Sequence, residues 1–477
     1  MSKPDFTHSG QLISPADNIF DRKALDVKID AVLESMSDGS KIRTSLVKIL
    51  TEARANGMAA IARSFAKKPF SAHPTTSSYS YLTDCLIETA YCAIVRHLHP
   101  TQFSTTGERL VLIAVGGYGR GEMAPFSDVD LLFVVPYKIT AWAENIVESL
   151  LYILWDLKIK VGHACRTIND CMKLARDDYT IRTSLVEMRY LLGEVRIFED
   201  LREQLRENLF KSTIEDFTEA KLAERSVRHL KQGGKVYLVE PNVKEGKGGL
   251  RDLQSLFWIE KYINGVFHAE QLVTAGVFTT DEFKTFLAAE EFLWSVRCHL
   301  HLISNRGMDQ LTFELQVEVS KNMGYIDSRG RRAVEHFMQD YFRHATKVGE
   351  LSRIFLTAVE AVHVNKGPNL LKLFKRKPRV RQNYIVSQNR LGVDDPKVFL
   401  KDKLNLLRLF EEGLRTGLLI HPDAMRLVSA NLNLIDLEMR NSDEAARIFC
   451  DLLLKLSLIH ISEPTRRYAI SYAVFCL

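Results

Sequence analysis

The sequence predicts an α+β protein in which a small sheet with helices is followed by a mostly helical region. Two apolar runs rich in β-branched residues, Leu110 to Val115 and Val129 to Val135, predict buried strands. A glycine-rich turn follows the first run directly. From about residue 170 onward, the spacing of apolar residues predicts one helix after another.

The remaining elements follow in chain order. A helical pattern from Ile42 to Phe65 ends at Lys67-Lys68-Pro69, and a second one runs from Leu82 to His97. The polar stretch 71–78 between them is expected to be a linker. Trp142 to Leu157 predicts an amphipathic helix, and Lys158 to Cys165 a third strand. Later helices are predicted at Ala220 to Lys231, Leu253 to Ile263, Asp281 to Ile303 and Arg332 to Val359.

Composition restricts the class of protein. The 477 residues are 46% hydrophobic and 26% charged, which is ordinary for a globular chain of about two to four domains. A net charge of +5 gives no reason to expect a nucleic-acid partner. No apolar run approaches the roughly 18 residues of a membrane span, so no membrane partner is expected. The 7 cysteines lack Cys-x-x-Cys spacing and predict reduced thiols in a cytoplasmic protein.

The glycine-rich turn and the acidic residues after it form the motif that carries chemistry. Gly116, Gly117 and Gly119 lie in the turn, and Asp128 and Asp130 flank the start of the second strand. Since residues i and i+2 of a strand point to the same face, the two carboxylates should project together. A divalent cation such as Mg²⁺ between them would relieve their repulsion. Glycines let backbone N–H groups approach a triphosphate closely.

Other glycine motifs fit less well. The spacing of Gly117, Gly119 and Gly121 differs from a dinucleotide-binding fingerprint, whose third glycine comes three residues after the second. Neither this cluster nor the glycines at 246–249 continues into the Gly-Lys-Ser or Gly-Lys-Thr of a P-loop. An ordinary turn with acidic residues at its end is the remaining alternative.

The stretch Gly-Gly-Tyr-Gly-Arg-Gly-Glu at 116–122, with Ser-Asp-x-Asp-Leu-Leu at 127–132, resembles the motif of the bacterial PII uridylyltransferases. These enzymes are a branch of the DNA polymerase β-like nucleotidyltransferase superfamily. Further blocks agree in family order, at 161–167, 240–252 and 306–325. The resemblance runs from about residue 20 to about residue 454. It implies a polymerase β-like core, a small mixed sheet with helices, followed by a mostly helical domain.

The resemblance implies that full-length members of that family have four parts: a transferase, a helical linker, an HD phosphohydrolase and two ACT domains. The expected division is 1–75 as an N-terminal helical extension, 76–240 as the nucleotidyltransferase core and 241–365 as a helical domain. Residues 366–455 would be a linker and the start of the region before the HD domain, and 456–477 a non-native tail. The sequence has no His-Asp dipeptide, so uridylyl removal and glutamine sensing are expected to be absent from this chain.

The resemblance also implies a reaction. UTP would be the co-substrate, a tyrosine of the PII signal protein the acceptor, and Mg²⁺ the cofactor, with Mn²⁺ as an alternative ion. Asp128 and Asp130 would be the catalytic metal ligands. The nucleotide would be held by residues of the turn and its end, namely Gly116, Gly117, Gly119, Arg120 and Ser127. For Arg120, a structural role at the turn is an equal alternative.

Superfamily members usually add a third carboxylate, and the sequence leaves its position open among Glu240, Asp252 and Asp156. The block 240–252 carries glycines together with Lys244, Lys247 and Arg251, a combination that suits phosphate, so it is predicted to have an accessory role. Its alternative is a loop that caps the next helix. His299 and His301 are predicted to pack or cap, because i and i+2 point apart on a helix.

Two functional alternatives stay open. An adenylyltransferase of the same superfamily is one, because nothing in the turn selects uracil over adenine. A catalytically silent nucleotide-binding or PII-binding module is the other, although the intact Asp128 and Asp130 argue against it.

Overall fold

The computed structural model describes residues 11–34, 36, 38–100, 108–234, 236–265, 271–274, 277–328, 330–359, 380–387 and 390–462. The chain divides into two compact units, Met1–Gly349 and Glu350–Leu477. The predicted domain boundary at 365 and the tail from 463 onward lie outside the described residues.

The first unit contains a four-stranded mixed sheet in the order β3-β2-β1-β4. Its strands are β1 (Val111–Ala114), β2 (Val129–Val135), β3 (Val161–Thr167) and β4 (Arg189–Gly193). Strand β1 pairs antiparallel with both β2 and β4, whereas β2 and β3 run parallel. The predicted fold class, α+β with a nucleotidyltransferase core, is confirmed.

Helices surround this sheet and continue after it. Those that precede β4 are α1 (Ala16–Ile19), α2 (Arg22–Leu33), α3 (Gly39–Lys67), α4 (Ala72–Ala93), α5 (Gly116–Gly119), α6 (Ala141–Asp156), α7 (Ile168–Asp177) and α8 (Tyr179–Val186). Those that follow are α9 (Val195–Asn208), α10 (Ile214–Lys231), α11 (Leu250–Asn264), α12 (Gln271–Thr274), α13 (Thr280–Ser304), α14 (Phe313–Asn322) and α15 (Ala333–Val359). A π-helical turn spans Ile94–Leu98 and a 3₁₀ turn Phe210–Ser212.

Successive side chains of β2 point to opposite faces of the sheet, and each face packs against its own layer of helices. Leu131 and Phe133 belong to one buried cluster, together with α3, α4 and α6. Leu132 and Val134 point the other way, into a second cluster with α7, α8 and α9. A strand buried on both faces reads as a continuous apolar run, which is why the sequence predicts β2 from Val129 to Val135.

The expected linker at 71–78 is wrong, because this stretch forms the first turns of α4. Pro74 is tolerated there, since a helix leaves its first N–H groups unpaired. The hydroxyls of Thr75 and Ser78 donate to the carbonyls of Ser71 and Pro74 at 2.6 and 2.7 Å. These bonds satisfy polar groups that are fully buried, so the stretch packs as helix despite its composition.

The second unit has its own small sheet, which the sequence did not predict. Strand β6 (Arg390–Val393) lies between β5 (Tyr384–Ser387) and β7 (Leu419–Ile420), antiparallel to the first and parallel to the second. Its helices are α16 (Pro396–Phe399), α17 (Asn405–Thr416), α18 (Pro422–Ala430), α19 (Leu437–Arg440) and α20 (Asp443–Ser462), with a 3₁₀ turn at Leu432–Leu434. A separate buried cluster includes Leu391, Phe399, Leu409 and Ile448.

Candidate active site

The acidic pair lies where β2 begins. Asp128 immediately precedes the strand and Asp130 is its second residue, so the alternation places both on the face of Leu132 and Val134. Asp128 is exposed and Asp130 half-buried. Burial raises the pKa of Asp130, and the nearby charge of Asp128 raises it further. The structure therefore brings the two carboxylates together, and their repulsion is the kind that a bound cation relieves.

Two glycines enclose the carboxylate of Asp130. In the β2–β3 ladder Asp130 is opposite Gly162, and a Cβ at Gly162 would lie 2.5 Å from Asp130 Oδ1. On the other side, a Cβ at Gly116 would lie 3.0 Å from Oδ2, and Gly116 has a φ of +60°, which favours glycine. Backbone with no side chain therefore approaches Asp130 from β3 on one side and from the turn after β1 on the other, and this leaves the carboxylate room to hold a ligand.

The glycine-rich segment forms the single turn of α5. Side chains of α4 and β4 hold this turn in place. Tyr118 is buried and donates its hydroxyl hydrogen to Asp84 Oδ1 at 2.5 Å. Arg189 on β4 donates to both oxygens of the same carboxylate, at 2.7 and 3.1 Å. A Cβ at Gly119 would lie 2.0 Å from the carbonyl oxygen of Glu187. Gly119 therefore serves the close packing of the turn onto the end of α8.

Arg120, predicted at the phosphates, lies in a buried ion-pair network. Its Nε donates to Glu122 at 3.0 Å and its Nη1 to Glu187. The Glu187 carboxylate is only 1% exposed and also accepts from Lys261 of α11 at 3.2 Å. These contacts fix the turn to the helical region, and a contact of Arg120 with nucleotide stays a prediction.

Ser127 closes a tight loop directly before Asp128. Its Oγ accepts from the N–H of Ala124 at 3.1 Å, and its own N–H donates to the carbonyl of Ala124 at 3.0 Å. The N–H of Met123 donates to the carbonyl of Thr76 at 3.4 Å. In these bonds the Ser127 hydroxyl acts only as an acceptor. Its hydrogen is therefore not used by them and could be donated to a phosphate.

The block 240–252 reaches the acidic pair through Lys244. Asn242 Oδ1 accepts from the N–H groups of Lys244 and Glu245 at 3.1 and 2.7 Å, which tightens the loop. The charge of Lys244 lowers the pKa of Asp130, against the larger effects of burial and Asp128, and the Lys244 ammonium group lies 4.0 Å from Glu245 Oε1. Burial lowers the pKa of Lys244, and the neighbouring Arg297 and Arg251 lower it further. Lys244 is thus a partly desolvated cation whose charge acts on Asp130.

The three candidates for a third carboxylate have other partners. Asp252 is fully buried and bound to Arg225, Arg228, His229 and the N–H of Gly248. Its neighbours hold the pKa of Asp252 well below the ordinary value despite burial, which raises it. Glu240 caps α14 by accepting from the N–H of Phe313 at 2.9 Å. Asp156 pairs with Arg43 at 2.7 Å.

No group of three or more His, Cys, Asp or Glu is arranged to hold a metal ion within the part of the chain that the structure describes. The two aspartates remain the residues that fit a divalent cation, because they supply hard oxygen ligands and leave other positions open for phosphate oxygens. The remaining accessory residues lie in the same loop as Lys244. Among them, Arg251 donates to Glu245 Oε1 at 3.0 Å.

The sequence did not predict one further contact of the site. His301 Nδ1 accepts from the N–H of Phe126, two residues before Asp128, at 3.2 Å. Phe126 and His301 are 175 positions apart in the sequence, so no local pattern could have indicated this hydrogen bond. His299, in contrast, packs on the ring of Phe65 with a centroid distance of 4.5 Å, in keeping with its predicted packing role.

The mixed sheet, the glycine turn and the paired aspartates at the start of β2 agree with a nucleotidyltransferase domain. Residues 101–191 match the family model described as "Nucleotidyltransferase domain". Residues 216–356, which include the loop of Lys244, match the model described as "GlnD PII-uridylyltransferase". Among the described residues, no helix is both long and apolar enough to cross a membrane.

Similar proteins extend this match over most of the chain. A bifunctional uridylyltransferase/uridylyl-removing enzyme of Ruegeria pomeroyi is 57% identical over 437 residues, 92% of this chain and 48% of the relative. Its namesake in Cereibacter sphaeroides is 54% identical over 93% of this chain and 48% of its own length. That of Azospirillum brasilense is 41% identical over 91% and 47%. The predicted resemblance to the PII uridylyltransferases is confirmed, and the chain spans about half the length of these curated relatives.

Proposed function

We propose that this chain transfers the UMP group of UTP to a tyrosine hydroxyl of a PII signal protein and releases pyrophosphate. The observation that carries the proposal is the pair Asp128 and Asp130 on one face of β2, and the charge of Lys244 acts on Asp130. Lys244 belongs to the segment that matches the PII-uridylyltransferase model, and the aspartates to the segment that matches the nucleotidyltransferase model. The choice of a uridylyl group rests on the names of the relatives. The choice of a nucleotidyl-transfer reaction rests on the paired aspartates of β2.

The reaction requires a phenol oxygen to bond to the α-phosphorus while the bond from that phosphorus to pyrophosphate breaks. Asp128 and Asp130 would hold Mg²⁺, or Mn²⁺ in its place, and such an ion favours the ionised acceptor and neutralises the triphosphate. Gly116 and Gly117 leave the backbone of the turn accessible to phosphate oxygens. Ser127 would donate its hydroxyl hydrogen, and Lys244 would pair with the charge of the triphosphate.

As the new bond forms, the proton of the acceptor tyrosine passes to bulk water, and the electron pair of the broken bond leaves with pyrophosphate. Burial is the main cause that raises the pKa of Asp130, and the charge of Asp128 raises that pKa further. Asp130 therefore holds a proton more readily than an exposed aspartate does. A cation at the pair reverses this preference, because it favours the ionised carboxylate. The chain's own contribution is then orientation: the glycine turn fixes the phosphates, and strand β2 fixes the carboxylates.

The test incubates the chain with PII, MgCl₂ and either UTP or ATP, and measures the mass of PII. We expect a gain of one uridylyl group per modified tyrosine, which Asp128→Asn and Asp130→Asn each abolish. Asp26→Asn is the matched control, because it removes a carboxylate of an exposed ion pair elsewhere in the first unit. A gain of adenylyl mass instead would assign the alternative activity. Nucleotide binding without any gain would indicate a silent binding module.

The relatives are also named for uridylyl removal, and they are about twice as long as the part matched here. The absence of this hydrolysis from the present chain stays a prediction. Incubation of uridylylated PII with the chain and Mn²⁺ tests it, and release of UMP would contradict it.

A further inference from the structure

His301 of α13 contacts the loop that leads into the acidic pair. The N–H of Phe126 donates to His301 Nδ1 at 3.2 Å, so Nδ1 carries no hydrogen and the hydrogen of the neutral ring is on Nε2. On the other side of the same peptide segment, a Cβ at Gly307 would lie 3.2 Å from the carbonyl oxygen of Phe126. The helical region therefore holds Phe126 by both its N–H and the close approach to its C=O.

Asp309 continues the contact to the second segment of the site. His301 Nε2 donates to Asp309 Oδ1 at 3.3 Å, and Arg297 Nε donates to the same oxygen at 2.7 Å. The backbone carbonyl of Asp309 accepts from the N–H of Val243 at 2.8 Å. Val243 immediately precedes Lys244. One residue thus binds His301 with its side chain and the lysine loop with its backbone.

His301 is buried in this pair and Asp309 is half-buried. The side chain of His301 is 1% exposed and that of Asp309 is 23% exposed. The charged groups that act on the imidazole are Asp309, Arg297 and Lys244, and both ring nitrogens of His301 are hydrogen-bonded in this rotamer. The connection joins two segments that are more than a hundred residues apart in the chain.

We infer that His301, with Asp309 holding its imidazole, is a positioning residue that fixes the segment leading into Asp128, and through Asp128 the metal and triphosphate of the bound nucleotide. This inference rests on the proposed function, because it assigns the two residues to that same site. Outer partners of metal ligands typically contribute tenfold to hundredfold to metal affinity, about 1 to 3 kcal/mol. Neither residue has to touch the substrate to have this effect.

Two substitutions at the same position separate positioning from simple packing. His301→Asn places an amide oxygen where Nδ1 was and keeps an acceptor for Phe126. His301→Gln places its amide near the position of Nε2, which keeps a partner for Asp309 and withdraws the acceptor from Phe126. Equilibrium dialysis with labelled UTP over a range of MgCl₂ concentrations measures binding without PII, and the uridylylation assay then gives kcat and KM for UTP.

We expect His301→Gln to raise the MgCl₂ concentration for half-maximal UTP binding by about tenfold. His301→Asn should stay within about threefold of the wild type, even if thermal unfolding shows that both variants lose similar stability. Equal Mg²⁺ dependence of all three proteins would overturn the inference, as would an equal shift in both variants.

The outcomes also distinguish this inference from the proposed function. Wild-type chain that binds UTP with Mg²⁺ but does not modify PII would overturn the proposed acceptor, while the binding comparison would still decide the role of His301. Wild-type chain that binds neither UTP nor ATP would overturn both.

Discussion

The carboxylate of Asp130 on β2 fits against Gly162 on β3, and a Cβ at Gly162 would lie 2.5 Å from Asp130 Oδ1. Gly162 is itself exposed, so the strand does not need glycine there for packing in the core. Gly162, which has no side chain that could take part in catalysis, therefore affects the orientation of Asp130, a predicted metal ligand.

Gly162→Ala should impair transfer without unfolding the protein. The added methyl group forces the carboxylate of Asp130 to rotate, and we expect kcat/KM for UTP to fall by about tenfold or more, since misplacement by about 1 Å can cost a hundredfold. Urea unfolding should change by less than about 1 kcal/mol, as for most exposed positions. The matched control is Gly349→Ala, whose Cβ would have no heavy atom within 4 Å. Unchanged kinetics in Gly162→Ala would show that the carboxylate does not act in this orientation.

Lys244→Met should weaken nucleotide binding. The methionine keeps the apolar stem but removes the charge near Asp130, so the triphosphate loses a partner in a desolvated place. We expect KM for UTP to rise by about tenfold, which corresponds to about 1.4 kcal/mol. Lys28→Met is the control, since Lys28 pairs with Glu52 on the surface. Initial rates over a range of UTP concentrations give the comparison, and equal KM values in the two variants would count against a role for Lys244.

Arg120→Gln should mainly destabilise the fold. The substitution leaves the buried carboxylate of Glu187 with Lys261 as its remaining ion-pair partner among the described residues. Breaking a buried ion pair typically costs about 3 to 5 kcal/mol, whereas an exposed pair contributes about 0 to 1 kcal/mol. The exposed pair Arg43–Asp156 provides the control Arg43→Gln. Urea unfolding of both variants measures the difference, and a loss for Arg120→Gln no larger than that of the control would contradict a structural role.

The sequence predicts the parts of this site that depend on local order. Strand β2 is predicted from Val129 to Val135, and the alternation of its residues is enough to place Asp128 and Asp130 on one face. The block 240–252 is predicted as an accessory loop from its glycines and cations, and in the structure the charge of its Lys244 acts on Asp130. These features are visible in sequence because each depends on residues a few positions apart.

The parts that the sequence did not predict depend on distant partners. Thr75 and Ser78 suggest a linker by their polarity, yet the α4 carbonyls four residues earlier satisfy their hydroxyls. His301 has no local signal for its bond to Phe126. Asp252 offers a carboxylate in the predicted loop, but Arg225, Arg228 and His229 neutralise it. Which charges meet in a folded core is decided by tertiary packing.

Buried Glu290 and its half-buried neighbours His73 and Glu291 should make stability depend on pH. His73 Nε2 lies 3.6 Å from Glu290 Oε2 and 3.2 Å from Glu291 Oε2. Burial raises the pKa of Glu290 to about 7, and Glu122 contributes in the same direction. Burial by itself would lower the pKa of His73, but Glu290 and Glu291 hold that pKa above its ordinary value.

Both groups therefore bind their protons more tightly in the folded state than in the unfolded state, and folding is favoured at lower pH. The contribution of Glu290 is fully present below its ordinary pKa of 4.5 and is lost as the pH rises through about 7. That of His73 is fully present below 6.5 and is lost as the pH rises through its higher folded value. One proton of difference changes the free energy of unfolding by at most about 1.4 kcal/mol per pH unit.

Glu290→Gln removes the first of these titrations, because an amide stays neutral. Relative to the wild type, the variant should become more stable as the pH rises from 5 to 8, as measured by urea unfolding at each pH. The exposed glutamate of the Glu207–Lys211 pair gives the control Glu207→Gln, whose curve should run parallel to that of the wild type over the same range. A constant difference between Glu290→Gln and the wild type would mean that Glu290 keeps an ordinary pKa despite its burial.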